Sequence, residues 1–273
     1  MEFYDYILLG IFGSVGAFLS GLLGVGGGII YIPVLDYFLT KSGMHSDMLV
    51  KGILANSLFT IIFSGSVSSY KQFRIGNFYP KQIFQTAIPG MLTAIFITWL
   101  IKTGTWYSKT TFNYVFASML LLIVIRLFFG NKQNNDEQAP EAESWKYGFT
   151  GLFAGVITAF SGLGGGVVMT PVFTDLLKQS IKKASSISNG VIPFFAIIIG
   201  IYNLNDVPDF RISEWQVGYI VFPVIVPMIL ATFIFAPLGV KVSHNTSQKT
   251  IRGVFASFVG IVLIKLLYEI FTN

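Results

Sequence analysis

Ten apolar runs follow one another along the chain, separated by short polar connections. They cover about residues 4–23, 29–39, 51–70, 82–101, 112–129, 147–163, 167–177, 187–202, 217–236 and 251–271. A helix needs about 20 apolar residues to cross the hydrocarbon core of a bilayer. Most runs approach this length, whereas the second and the seventh are too short to span alone. The pattern predicts an all-α, polytopic membrane protein embedded in the lipid bilayer.

A polar stretch divides the chain nearly in half. It is rich in Asn, Gln, Asp, Glu and Ala and has no apolar period, which is typical of a flexible linker. We therefore expect a first membrane repeat over residues 1–130, a linker over residues 131–145 and a second membrane repeat over residues 146–273.

One motif occurs once in each half. Each copy has a serine, then a run of three glycines, then a proline five residues after the last glycine. The two copies are Ser20, Gly26, Gly27, Gly28 and Pro33, and Ser161, Gly164, Gly165, Gly166 and Pro171. Each glycine costs a helix about 1 kcal/mol relative to alanine, and proline removes a backbone donor. We therefore expect a helix to break at both copies.

Other positions also repeat. Asn56 matches Asn189, and Val115-Phe116-Ala117-Ser118 matches the same four letters from Val254, with spacings between matched positions of 133 to 141 residues. An ordered series at nearly constant spacing indicates a duplicated unit of about five segments. An odd number of crossings per unit would invert the second copy relative to the first.

The basic residues favour one orientation. If every segment changes sides, one face collects 12 of the 18 basic residues, and if the short segments do not cross, the split is 10 to 8. The 12 are Lys71, Arg74, Lys81, Arg126, Lys132, Lys146, Lys178, Lys182, Lys183, Lys241, Lys249 and Arg252. The positive-inside rule then places the linker in the cytoplasm and both termini outside.

Composition excludes several classes of function. The chain has no cysteine and only two histidines, which excludes thiolate metal sites and makes a histidine metal centre a poor interpretation. The net charge of +5 is scattered over short connections and forms no stripe for nucleic acid. We expect no cofactor, and no nucleotide-binding motif is present.

The glycine breaks are candidates for holding an anion. A broken helix presents unpaired N–H groups at the start of its second half, where the helix dipole is positive, and glycine lets an anion approach closely. The alternative is close helix packing, which is the favoured interpretation for the upstream glycines Gly13, Gly151 and Gly155 and their neighbours Gly10, Gly16 and Gly148.

Four polar side chains and two carboxylates complete the candidate site. Ser20 and Ser161 are donors to an oxyanion or are bonded to their own helices. Asn56 and Asn189 are substrate ligands or structural clamps. Asp36 and Asp175 lie shortly after the matched prolines and are candidate proton carriers, unless they reach water at the segment ends.

The duplicated glycine run followed by proline, around a polar central linker, resembles the TauE/SafE-type sulfite and sulfonate exporters, the TSUP permeases. The resemblance covers essentially the whole chain and implies transport of sulfite, sulfonates, thiosulfate or related small anions across the bacterial inner membrane. With the two serines aligned, the first copy carries a Leu-Gly-Val that the second lacks. This difference predicts two breaks of different geometry.

The resulting hypothesis is a secondary transporter of small anions that works by alternating access, with protons as a candidate coupling ion. An anion channel uses the same helix-end chemistry and stays open as an alternative. An intramembrane enzyme is the weaker alternative, because the apolar segments offer no histidine, no cysteine and no paired acids. The sequence does not indicate an oligomeric state.

Overall fold

A computed structural model describes residues 2–104, 106–129, 142–204, 207–208 and 211–272. Nearly all of them are helical. The helices are α1 (Phe3–Leu23), α2 (Gly28–Lys41), α3 (Ser46–Arg74), α4 (Pro80–Thr103), α5 (Lys109–Phe129), α6 (Ser144–Ser161), α7 (Gly166–Pro171), α8 (Ile181–Leu204), α9 (Phe222–Asn245) and α10 (Gln248–Thr272). The strands are β1 (Gln216–Val217) and β2 (Ile220–Val221).

The prediction of an all-α, polytopic membrane protein is confirmed. Five of the described helices are long and apolar enough to cross a membrane, namely α1, α3, α4, α8 and α9. All ten predicted apolar runs correspond to helical segments. Most of the predicted linker, residues 131–141, lies outside the described residues.

The helices break at the glycines and not at the prolines. α1 ends at Leu23 and α2 begins at Gly28, and α2 then runs through Pro33. In the second half Pro171 closes α7, and the chain continues as a π-helical turn over Val172–Leu176. Pro33 and Pro171 are each the sixth residue of their helices, so each removes a single intrahelical hydrogen bond and the chain stays helical beyond it.

Each break makes a hairpin of a long helix and a short one. Lys41 at the end of α2 forms an ion pair of 2.7 Å with Asp5 in the first turn of α1, so α2 returns to the side from which α1 starts. We call this side the terminal side. The opposite side, where α6 starts beside α4 through the Gln85–Ser144 hydrogen bond of 2.8 Å, is the linker side.

The two halves pack on each other reciprocally. α1 lies along α9, and α6 lies along α4. Glycines permit both contacts: Gly13 faces the Met228 backbone, while Gly151 and Gly155 face the carbonyl groups of Thr86 and Gly90. Packing is thus confirmed for these three. Gly16 instead faces the Tyr31 ring, and a side chain at Gly10 would meet nothing within 4 Å.

The central helices α3 and α8 run antiparallel. Gly65 of α3 lies against Pro193 of α8, and Asn77, just after α3, donates to the Lys182 carbonyl near the start of α8 at 3.1 Å. α3 therefore ends on the linker side, where α8 begins. This pair forms the wall against which both breaks are packed.

A short β-hairpin precedes α9. Residues 217–221 were expected inside the ninth helical segment, and this boundary was wrong, because β1 pairs with β2 and the helix starts only at Phe222. Gly218 supplies the positive φ of 58° that the tight turn needs. Pro223 at the start of α9 fits the first helical turn.

Candidate anion site at the two helix breaks

The two breaks have the same length and the same backbone geometry. Each contains four residues, Gly24 to Gly27 and Gly162 to Gly165, between the two helices it joins. Their positive φ angles are 72°, 82° and 80° in the first break and 68°, 76° and 74° in the second. The expectation of different geometries was wrong, because the matching positions are the left-handed glycines and not the serines.

The correct alignment removes the apparent insertion. Gly24 corresponds to Gly162, since both follow the last residue of a long helix in left-handed conformation. Ser20 then corresponds to Thr158, and Ser161 corresponds to Leu23. The two serines therefore occupy different places relative to their breaks.

The breaks touch each other between the middles of α3 and α8. Gly28 packs against Leu163, and Gly166 packs against the Gly24 carbonyl. Ile61 and Ile192 each contact both breaks, through Gly26 and Gly164. All break residues are buried, so in this conformation the breaks are closed against each other.

Backbone donors remain available at both helix starts. The first two N–H groups of a helix cannot bond inside it. Those of Gly28 and Ile29 in α2, and of Gly166 and Val167 in α7, donate to no backbone carbonyl among the described residues. The last glycine of each break packs against the long helix of its own half: Gly27 lies against the Gly16 carbonyl, and Gly165 lies against Thr158.

Asn56 is fully engaged by the hairpin before α9. Its Nδ2 donates to the carbonyls of Gly52 and Tyr219, both at 2.8 Å. Its Oδ1 accepts from the Val221 N–H at 2.8 Å. This geometry is that of a structural clamp, the second of the two interpretations of Asn56.

Asn189 has the opposite environment. It is fully buried in α8, and neither its Nδ2 nor its Oδ1 has a hydrogen-bond partner in the described part of the chain. It is also not the counterpart of Asn56. Leu54 packs on Gly162 as Ser185 packs on Gly24, which makes Asn189 the counterpart of Leu58 and not of Asn56.

The two serines differ in the same way. Ser161 Oγ donates to the Ile157 carbonyl of its own helix at 2.6 Å and accepts from the Leu163 N–H at 3.3 Å. Ser20 is fully buried in α1, one turn before Gly24, and its hydroxyl has no hydrogen-bond partner. Ser161 thus holds its break, and Ser20 is left available.

Further polar groups near the first break were missed in the sequence. Ser185 Oγ faces Gly24 and has no hydrogen-bond partner among the residues that the structure describes. Ser64 donates to the Gly26 carbonyl at 3.0 Å. The signal that could have revealed Ser64 is its four-residue spacing from Ser68 and Gln72, which places all three on one face of α3.

These groups continue toward the linker side. The antiparallel register of α3 and α8 places Ser68 level with Asn189 and Gln72 level with Ser185. All four are at most 1% exposed, and Ser68 Oγ and Gln72 Nε2 have no hydrogen-bond partner. We call Ser64, Ser68, Gln72, Ser185 and Asn189 the polar track.

The corresponding half of the pair beside the second break is apolar. On α3, the counterparts of Ser185 and Asn189 are Leu54 and Leu58. On α8, the counterparts of Ser64 and Ser68 are Phe195 and Ile199. All four are buried. At these four positions the lining is polar only between the breaks and the linker side, whereas Gln72 is matched by the polar Asn203, which is 5% exposed.

The two carboxylates lie outside the breaks. Asp36 of α2 forms an ion pair of 2.7 Å with Lys109 of α5 on the terminal side. Asp175 in the π-helical turn accepts from the Thr174 hydroxyl at 3.1 Å. Both are separate from the closed contact between the two breaks.

The fold defines a polytopic helical membrane protein with a broken-helix hairpin in each half. Residues 8–266 match the family described as "Sulfite exporter TauE/SafE". The chain belongs to this family and is a membrane transporter, as the resemblance implied.

Three relatives agree with this assignment. The chain is 24% identical over 262 residues to a probable membrane transporter protein of Methanocaldococcus jannaschii, covering 93% of this chain and 92% of the relative. It is 23% identical over 269 residues to a probable membrane transporter protein of Haemophilus influenzae, covering 96% and 98%. It is 20% identical over 285 residues to the probable membrane transporter protein YunE of Bacillus subtilis, covering 97% and 98%.

Proposed function

We propose that this protein is a secondary transporter of small sulfur oxyanions or sulfonates, and that the anion is held beside the first break. The observation that supports this most directly is the group of buried polar atoms without protein partners around that break, contributed by Ser20, Ser185 and Asn189. Buried polar groups in native proteins are nearly always hydrogen-bonded, so a cluster of unpaired ones needs a ligand or water.

The chemistry of these groups suits an oxyanion. A sulfur oxyanion only accepts hydrogen bonds, and serine hydroxyls, an amide NH₂ and backbone N–H groups all donate. The N–H groups of Gly28 and Ile29 lie at the positive end of the α2 dipole. One wall of this site is the first break with its glycines Gly26, Gly27 and Gly28. The opposite wall is the second break with Gly164, Gly165 and Gly166.

Alternating access follows from the repeat organisation we propose. The two halves are inverted repeats, residues 1–130 and 146–273, and the antiparallel pair α3 and α8 supports this relation. Opening of the contact between Ile61 and Ile192 toward the linker side would join the site to the polar track. In the orientation that the positive-inside rule favours, the linker faces the cytoplasm and both termini lie on the outer side of the inner membrane.

Proton coupling belongs to the same proposal. The Asp36–Lys109 ion pair can release its lysine if the carboxylate takes up a proton, and Asp175, one residue after the counterpart of Asp36, is the nearby carboxylate of the second half. An imposed pH gradient across liposomes tests this, because proton-coupled uptake responds to the gradient even when the anion concentrations on the two sides are equal.

Uptake into liposomes that contain the purified protein tests the transport proposal. The panel is sulfite, thiosulfate, short sulfonates and short carboxylates. We expect saturable uptake of a sulfur anion, lost in Asn189→Leu and kept in the control Ser161→Ala. Absence of uptake for every anion would refute the substrate class, and flux that never saturates would favour the channel.

A further inference from the structure

A second group of polar residues surrounds a cleft on the terminal side, away from the breaks. The cleft has a volume of about 890 Å³ and lies where α2, α5 and the second half of α10 approach each other. Its chemistry is set by Asp36, Thr40, Lys41, Lys109, Thr110 and Lys265. It contains neither break glycines nor members of the polar track.

Lysines outnumber carboxylates among the residues that line the cleft. Three lysines and one aspartate line it, and Lys41 is paired outside the cleft with Asp5, at 2.7 Å. Lys109 Nζ lies 2.7 Å from Asp36 Oδ1, and the two side chains are 26% and 22% exposed. A concave site with several cations and walls of low dielectric concentrates anions.

The Asp36–Lys109 pair leaves donors of the lysine unused. Lys109 Nζ is buried, lies 2.7 Å from Asp36 Oδ1 and has no further hydrogen-bond partner among the described residues. An ammonium group has three donors. The hydroxyls of Thr40 and Thr110 line the same space, so an anion with several oxygens would find donors on more than one side.

We propose that this cleft is a second anion site, in which Lys109 binds a small oxyanion or sulfonate and Asp36 is the counter-ion that the anion displaces. The inference extends the proposed anion transport but does not depend on the site beside the first break. On the terminal side, this cleft then binds the same class of anion as the central site beside the first break.

Cysteine labelling tests the proposal without measuring transport. The chain has no cysteine, so Thr110→Cys places a single thiol in the cleft of the full-length protein. Thr103→Cys, at the end of α4 on the same side, is the matched control. Methanesulfonate serves as the unreactive anion, and the reagents are an anionic and a cationic methanethiosulfonate.

We expect methanesulfonate to slow labelling of Thr110→Cys but not of Thr103→Cys. A unit charge about 7 Å away changes the local energy by about 0.6 kcal/mol in water, or about threefold in rate. Because the anionic and cationic rates change in opposite directions, Lys109→Gln should lower the ratio of anionic to cationic labelling about sevenfold, and Asp36→Asn should raise it by a similar factor. Lys109→Gln should also abolish protection by methanesulfonate.

Three outcomes would overturn the inference. In the first, methanesulfonate protects both cysteines equally from labelling. In the second, protection of Thr110→Cys survives the Lys109→Gln substitution. In the third, Asn189→Leu abolishes the protection, which would place the anion at the central site. If Lys109→Gln does not fold, Lys265→Gln takes its place. We then expect a lower ratio of anionic to cationic labelling, and an unchanged ratio would contradict the proposal. If Asn189→Leu loses anion uptake but methanesulfonate still protects Thr110→Cys, the cleft and the central site are separate.

Discussion

Asn56 and Asn189 are predicted to respond in opposite ways to the same substitution. Leucine has the branched shape of asparagine and no hydrogen-bonding groups, but it is larger, so overpacking costs both variants about 1–3 kcal/mol. In Asn56→Leu, the Tyr219 carbonyl and the Val221 N–H lose their 2.8 Å partners. A buried backbone group left unpaired costs about 1–3 kcal/mol, so the two together destabilise the fold by about 2–6 kcal/mol.

Asn189→Leu removes an amide that has no protein partner. No other group is orphaned, and removal of the unpaired buried amide, worth about 1–3 kcal/mol, offsets the overpacking, so the fold should be about as stable as before. Transport should suffer instead. A hydrogen bond to a charged group is worth about 1.5–3 kcal/mol, which corresponds to a loss of apparent anion affinity of about 10- to 100-fold.

Thermal unfolding in detergent and uptake into liposomes are measured on the same preparations. Asn56→Leu should melt at a lower temperature than the unchanged protein, and Asn189→Leu should not. Anion uptake at low concentration should fall in Asn189→Leu although the protein is intact. A lower melting temperature for Asn189→Leu than for Asn56→Leu, or normal uptake by Asn189→Leu, would refute the assignment of the two residues.

Three further predictions test the packing and the closed contact. Gly155→Ala should lower the melting temperature because its methyl group would meet the Gly90 carbonyl, whereas Gly10→Ala, with open space, should leave it unchanged. Ser20→Ala should reduce uptake of the anion, measured beside Ser161→Ala, and equal losses would contradict the distinction between the two hydroxyls. Ile192→Ala should increase passive anion leak through the breaks, and an unchanged leak would show that the isoleucine does not close the path.

The glycine runs illustrate what pattern alone can predict. Three consecutive glycines remove helix propensity and permit positive φ, both of which are local properties, so the positions of the breaks follow from the sequence. The matching of the two copies does not follow, because a serine occurs near each run. Only the backbone conformation identifies Gly24 and Gly162 as equivalent.

The roles of the polar residues could not be assigned from their types. Asn56 and Asn189 are both amides in apolar helices, and the difference between them is a β-hairpin 163 to 165 residues away that binds one and not the other. Ser185 and Ser68 were missed for the same reason. A lone serine in an apolar segment has no distinguishing pattern until its surroundings are known.

By itself the sequence determined the class of protein, the number of helical segments, the duplication, the two breaks and the family, because apolar length, glycine content and motif spacing are properties of short stretches. The tertiary structure alone decided which of the buried polar side chains have hydrogen-bond partners. Partners of buried atoms come from distant helices, and an atom left without one is recognised only when all its neighbours are in place.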